Sequence, residues 1–238
     1  MSFEATPPKP EARPRGRRPK TQPSGKKALV DAAVETFATR AYDRSDLRRI
    51  AADASVDPGL VRVHFGAKEG LWQACVDALT EEAAPIVAAM AALVSQQEVP
   101  VPERLARMIT HAAAYSGEHS NLRKFVALQA AEHPDRAKLL VERLVRPLYE
   151  TLRPLIEAGI AGGYIRVQHP AIFFAILHNA MERSRASPLF LNALAPDVPL
   201  ADGNRLFVEG LITTLVDRCL LDWEPTGRCA PDSEMGDV

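Results

Sequence analysis

The tetrapeptide Ser55-Val56-Asp57-Pro58 separates two short stretches of helical apolar spacing, and it constrains the fold of this chain more than any other feature. Before it, Leu47, Ile50, Ala51 and Ala54 fall on one face of a short helix, with Ser45 placed to cap its start. After it, Asp57 can accept the unpaired N–H groups of a helix N-terminus, and Pro58 is tolerated at the first helical position. A further short helix therefore begins there and ends by Phe65-Gly66. Upstream, Val30, Ala33, Val34 and Phe37 recur at i, i+3, i+4 and i+7, which predicts a helix from Lys26 to near Arg40. Three short helices with a tight turn between the last two have the geometry of a helix-turn-helix, whose last helix can enter the major groove of DNA.

Beyond Lys68 the helical pattern lengthens. Breaks fall at Pro100 and Pro102, near Gly117 to Ser120, at His133-Pro134, at Gly162-Gly163 and at His169-Pro170. A last helix runs from about Asp202 to Leu221, after a proline-containing loop between Ser187 and Pro199. No alternating strand pattern and no internal repeat is present, so the chain reads as all-α. The division expected is a disordered basic arm over 1–25, a helix-turn-helix domain over 26–72, a larger helical domain over 73–221 and an acidic tail over 222–238.

The net charge of −1 conceals a strong asymmetry. Residues 1–68 carry 14 Lys and Arg against 8 Asp and Glu, net +6, which leaves 15 against 22, net −7, for the rest. Local charge rather than overall balance attracts phosphate, so the N-terminal part suits a polyanion and the remainder another task. Cys75, Cys219 and Cys229 are far apart and form no C-x-x-C pair, so neither a disulfide framework nor a zinc site is indicated, and a reducing cytoplasm fits. There is no signal-like N-terminus and no unbroken apolar run of membrane-spanning length, so no membrane partner is expected. A P-loop, a Gly-rich dinucleotide loop, a metal-ligand cluster and a G-x-S-x-G elbow are all missing from the sequence. The expectation is a protein that is not an enzyme and holds neither cofactor nor metal. The pair His178 and Glu182, one helical turn apart, is too small a ligand set to change that.

Over residues 27–75 the chain resembles the TetR family of transcriptional regulators. The resemblance rests on the Phe37 helix, Ile50-Ala51, Ala54, Val56, Gly59 and His64-Phe65, with Lys68 and Leu71 at the family's spacing. It implies a homodimeric regulator that binds double-stranded operator DNA and is released by a small-molecule effector held in the C-terminal domain. Four positions depart from the family pattern. Ser55 stands where Gly is usual and must take a backbone conformation that Gly accepts more easily. Arg62 stands for Tyr, Ser45-Asp46 for a pair of threonines, and Ala67 for a capping Ser.

The residues expected at DNA follow from this alignment. Arg48, Pro58, Gly59, Arg62 and Val63 face bases, Ser45 lies beside them, and His64 and Lys68 hold phosphates, Lys68 together with the amides of the helix it begins. In the arm, Pro14-Arg15-Gly16-Arg17-Arg18-Pro19-Lys20 resembles an AT-hook with one inserted Arg. Arg15, Arg17 and Arg18 are therefore read either as ligands of an A/T minor groove or as a general polybasic contact.

In the C-terminal domain, Met108, His111, Tyr115, Phe125, Gln129, Phe174 and His178 offer an apolar lining with polar handles, the pattern of an effector pocket. For the dimer, the resemblance implies pairing of the last two long helices, with Phe173, Leu177 and Met181 on one and Phe207, Leu211 and Leu215 on the other. A DNA-organising protein without regulatory function, a helical enzyme and an activator are the competing readings.

Overall fold

The computed structural model describes residues 25–183, 193–194, 196–197 and 200–216, and the basic arm, the acidic tail and most of the loop between Ser187 and Pro199 lie outside them. Every regular element among the described residues is helical. The N-terminal part contains α1 (Gly25–Thr39), α2 (Leu47–Asp53) and α3 (Gly59–Phe65), followed by the long α4 (Lys68–Ser95). Then come α5 (Val101–Glu118), α6 (Ser120–Glu132), α7 (Pro134–Leu140), a π-helical turn over Val141–Val145 and α8 (Arg146–Ala161). Two further helices, α9 (Pro170–Arg183) and α10 (Leu200–Leu215), complete the described chain.

Helix boundaries follow the punctuation of the sequence. Gly66 ends α3 at φ 73° and Gly163 follows α8 at φ 76°, both in the left-handed region that glycine enters without a steric cost. Ser55 takes φ 54° and is the only non-glycine residue at positive φ among the described residues. One local expectation is corrected: α2 is capped by Asp46, whose carboxylate accepts the Arg48 N–H at 2.9 Å. Ser45 is instead buried, and its hydroxyl donates to the Ala41 carbonyl at 2.9 Å. Capping by Asp rather than Ser also places a negative charge at the positive end of the helix.

Two hydrophobic cores hold the helices, and α4 runs through both. Leu71, Trp72, Cys75, Val76 and Leu79 join α1 to α3 in the first, while Ile86, Met90 and Leu93 join α5, α8 and α9 in the second. By length and composition α4 is apolar enough to cross a membrane, but these residues pack inside the protein. The first core also takes in Phe125 from α6, Leu140 from α7 and Leu144 from the π turn. Phe125 stacks on Trp72, with ring centroids 6.0 Å apart, and meets Phe37 edge-on at 6.2 Å. The three-helix head is thus completed by side chains from the larger domain.

Candidate nucleic-acid interface and helical cavity

Helix α3 is held from below and exposed above. Val61 is buried on the first core, with Leu60 and Phe65 partly buried beside it. Gly59, Arg62, Val63 and His64 are exposed. Asp57 fixes the start of the helix, its carboxylate accepting the Gly59 N–H at 2.7 Å. A Cβ at position 59 would sit 2.8 Å from that oxygen, so a larger residue there would make the carboxylate shift. Pro58 precedes the helix with φ −56° and ψ −27°, in helical conformation as its ring prefers.

The far end of α3 is set by a residue that the motif reading passed over. A Cβ at Gly70 would lie 2.0 Å from the Phe65 carbonyl oxygen, so only glycine lets α3 approach the first turn of α4 this closely. The available sequence signal was a glycine inside an otherwise helical pattern. At the start of α4, Ala67 offers no side-chain cap, which leaves the first-turn amides to other acceptors. Lys68 is partly buried, with its ammonium 4.6 Å from the centre of the Tyr42 ring. Arg48 lies exposed at the start of α2. The structure therefore brings Arg48, Pro58, Gly59, Arg62, Val63, His64 and Lys68 to exposed or half-exposed positions on the α2–α4 region. It turns the Ser45 side chain inward, with its hydroxyl bonded to the Ala41 carbonyl. Arg15, Arg17 and Arg18 lie outside the described residues.

Beneath this head, α6 and α7 make polar contacts with it. The Gln129 side chain is fully buried, accepts the Trp72 indole N–H at 3.2 Å and donates to the Phe37 and Arg40 carbonyls at 2.9 and 3.1 Å. Glu132 accepts the backbone N–H of Tyr42 at 2.7 Å. The Arg136 guanidinium lies over the Tyr42 ring at 3.5 Å and 3.6 Å from the Glu69 carboxylate. Burial, with the Glu69 carboxylate next in weight, raises the Tyr42 phenol above its ordinary range.

An apolar cavity lies between the second core and the α6 side of the first. Its walls include Ile86 and Met90 of α4, Tyr115 and Ser116 of α5, Leu122, Arg123 and Val126 of α6, Leu148 and Leu152 of α8, and Phe174, Leu177, His178 and Met181 of α9. Its free space is about 90 Å³. The Phe174 and His178 rings stack at 5.9 Å, and Tyr149 meets Phe174 at 5.4 Å. Arg123 is nearly buried and donates to the Met181 carbonyl at 3.3 Å, which joins α6 to the end of α9. Burial pushes the Tyr115 phenol up to about 12, with the Glu82 carboxylate acting in the same direction.

Of the residues expected in a pocket, Tyr115, Phe174 and His178 line this cavity. Four do not. Phe125 and Gln129 belong to the contact with the DNA-binding head, Met108 is buried in the second core away from the cavity wall, and His111 is on the surface. Helical periodicity marks these as inward or outward but cannot say which of two neighbouring cores an inward side chain joins.

Of the residues expected at a dimer contact, Phe173, Leu177 and Met181 are 0%, 3% and 3% exposed within a single protomer, their side chains packed into the second core. The outward face of α9 is one residue out of register, with Ile172 and Ile176 exposed at 55% and 42%. On α10, Phe207, Leu211 and Leu215 are half-buried against the second core, and Leu206 is exposed. Among the described residues no group of three or more His, Cys, Asp or Glu is placed to hold a metal ion.

A capped recognition helix exposed above a turn, seated on a helical domain with its own cavity, defines a helix-turn-helix DNA-binding transcriptional regulator. Residues 29–75 match the bacterial regulatory proteins of the tetR family, and this segment is the DNA-binding part of such a regulator. Solved structures with the same fold include FadR of Bacillus subtilis, a transcriptional regulator crystallised with stearoyl-CoA. It is 18% identical, the match covering 79% of this chain and 98% of that one, with a TM-score of 0.57. HlyIIR, a hemolysin II transcriptional regulator, is 13% identical over 82% of this chain and 98% of its own, with a TM-score of 0.61. A TetR-family regulator from Agrobacterium tumefaciens is 18% identical over 81% and 97%, with a TM-score of 0.57. No curated protein matches the chain by sequence.

Proposed function

We propose that the protein is a cytoplasmic repressor that binds a palindromic operator as a homodimer and is released when a small apolar effector enters the α4–α9 cavity. The observation that carries this reading is the double use of α6. Leu122, Arg123 and Val126 of that helix line the cavity, while Phe125 and Gln129 hold the DNA-binding head through Phe37, Trp72 and Arg40. Free space of about 90 Å³ is well below the roughly 300–1,000 Å³ of small-molecule pockets. An effector therefore has to part the helices that form the wall, and α6 cannot move without disturbing the contact with the head. Arg48, Pro58, Gly59, Arg62 and Val63 read bases, and His64 and Lys68 hold phosphates. Arg15, Arg17 and Arg18 of the arm add phosphate or minor-groove contacts. The work is binding rather than catalysis.

The largely apolar cavity, together with the acyl ligand of the Bacillus subtilis relative, supports a long-chain acyl compound as the effector class. The test begins with selection of operators from random duplex DNA. The expected product is a dyad with half-sites about 34 Å apart or a multiple of that spacing. Stearoyl-CoA is then titrated against the complex. A loss of operator affinity of roughly 5- to 150-fold is expected, the range of ordinary allosteric coupling, with an equal loss of acyl affinity when operator is bound. Acyl binding that is indifferent to operator would remove the coupling, and selected sequences without a dyad would remove the dimeric operator.

A further inference from the structure

We infer that Val63 reads thymine, by packing its isopropyl group against the 5-methyl of one thymine in each operator half-site. The inference rests on the DNA-binding reading of α3 and adds to it the base recognised. Val63 is 76% exposed, and among the described residues it is the only exposed large hydrophobic in the N-terminal head. An isolated apolar side chain on a protein surface is ordinary, so its position must decide. Successive residues of a helix are about 100° apart, which sets Val63 about 200° from Val61, the residue that α3 buries. It therefore points directly away from the core. Gly59 lies one turn earlier on the same outward face and carries no side chain, leaving open space next to Val63. Arg62 and His64 are exposed on either side, and Arg48 is exposed on α2, so the surroundings suit a polyanion rather than an apolar protein partner.

The chemistry then selects the base. Along the major groove guanine, adenine and cytosine present hydrogen-bonding atoms, which an isopropyl group would cover without replacing their water. Thymine alone presents a methyl group. Valine is suited to this contact because branching at Cβ leaves it essentially one helical rotamer, so little side-chain freedom is lost on docking. The helix itself gains nothing from a β-branched residue at an exposed site.

The experiment uses the full chain and an operator selected from random duplex DNA. Each thymine is replaced in turn by uracil, which deletes the methyl group and keeps every hydrogen-bonding atom. With the wild-type protein, one position per half-site is expected to lose about fourfold in affinity, equivalent to about 0.8 kcal/mol for one buried methyl group. Val63→Ala should bind the thymine and uracil duplexes equally at that position, while Arg62→Ala, weaker overall, should keep the wild-type discrimination. Circular dichroism checks the fold of both variants. Uracil tolerated at every position by the wild type, or discrimination that persists in Val63→Ala, would overturn the inference and leave DNA binding standing. If selection enriches no operator at all, the DNA reading of α3 fails and the inference fails with it.

Discussion

Gln129 of α6 accepts the indole N–H of Trp72 at 3.2 Å in a site with no exposed surface. Its amide nitrogen donates to Phe37 and Arg40, so one side chain satisfies three groups of the DNA-binding head. Replacing it by leucine strands a buried donor and two carbonyls. Gln129→Leu is expected to destabilise the protein by about 1–3 kcal/mol, and Trp72→Phe in the same background should cost less than it does alone. Urea unfolding of the four proteins checks this. Additive costs would show that the pair is not coupled.

Ser55 occupies the turn before α3 at φ 54°. For a residue with a Cβ this conformation costs roughly 1–2 kcal/mol, from which the extra freedom that glycine has in the unfolded chain must be subtracted. Ser55→Gly should raise stability by about 1 kcal/mol, seen as a higher urea midpoint at unchanged slope. A variant no more stable than wild type would mean that the contacts of the serine side chain offset the backbone cost.

Ile176 and Leu177 are neighbours in sequence with opposite surroundings, the first 42% exposed and the second 3%. If α9 pairs with a second copy through its outward face, Ile176→Asp should yield folded monomers in sedimentation experiments. Leu177→Asp should fail to fold, because it places a carboxylate in the second core. An Ile176→Asp protein that remains dimeric would move the dimer contact elsewhere.

Cys75 is fully buried, and burial, assisted by the Asp31 carboxylate, pushes its thiol far above the usual range. In a Cys219→Ser, Cys229→Ser background the native protein should react with iodoacetamide only through unfolding, since the thiolate is the nucleophile. The sign of the pH effect follows. The folded thiol keeps its proton above about pH 8.5, whereas the unfolded one loses it, so this group's contribution to stability is complete below that pH and declines above it. Rapid labelling of the folded protein near pH 8 would contradict the burial of the thiol.

The elements near the DNA end were legible because their signals are local. Asp57-Pro58, Gly66 and Gly163 act on their own backbone, whereas the left-handed geometry of Ser55 was legible only through the resemblance, from the glycine usual at that position. The cap of α2 was misplaced by one residue because Ser45 and Asp46 both have suitable oxygens, and only the packing of Ser45 against Ala41 separates them. The cavity was legible only in part. Tyr115, Phe174 and His178 line it, but Phe125 and Gln129 sit at equally regular helical positions and turn toward Phe37 and Trp72. Which neighbour a helix face meets is a matter of tertiary arrangement. The same holds for α9, where Phe173 and Ile172 differ by a single step of the helix, yet the first is buried and the second exposed.

The presence of Phe125, Leu140 and Leu144 in the core of the head has a consequence for anyone treating this protein as a kit of parts. A fragment cut after Trp72 or Cys75 would leave Phe37 and the indole without Phe125, and the apolar surface uncovered would favour association over folding. Exchanging sensor domains between regulators of this kind at the start of α4 would likewise join a head to a floor cut for another protein. A graft that keeps its shape must carry α6, α7 and the π turn along with α1 to α4, so the transplantable unit is discontinuous in sequence although the DNA-reading motif is not.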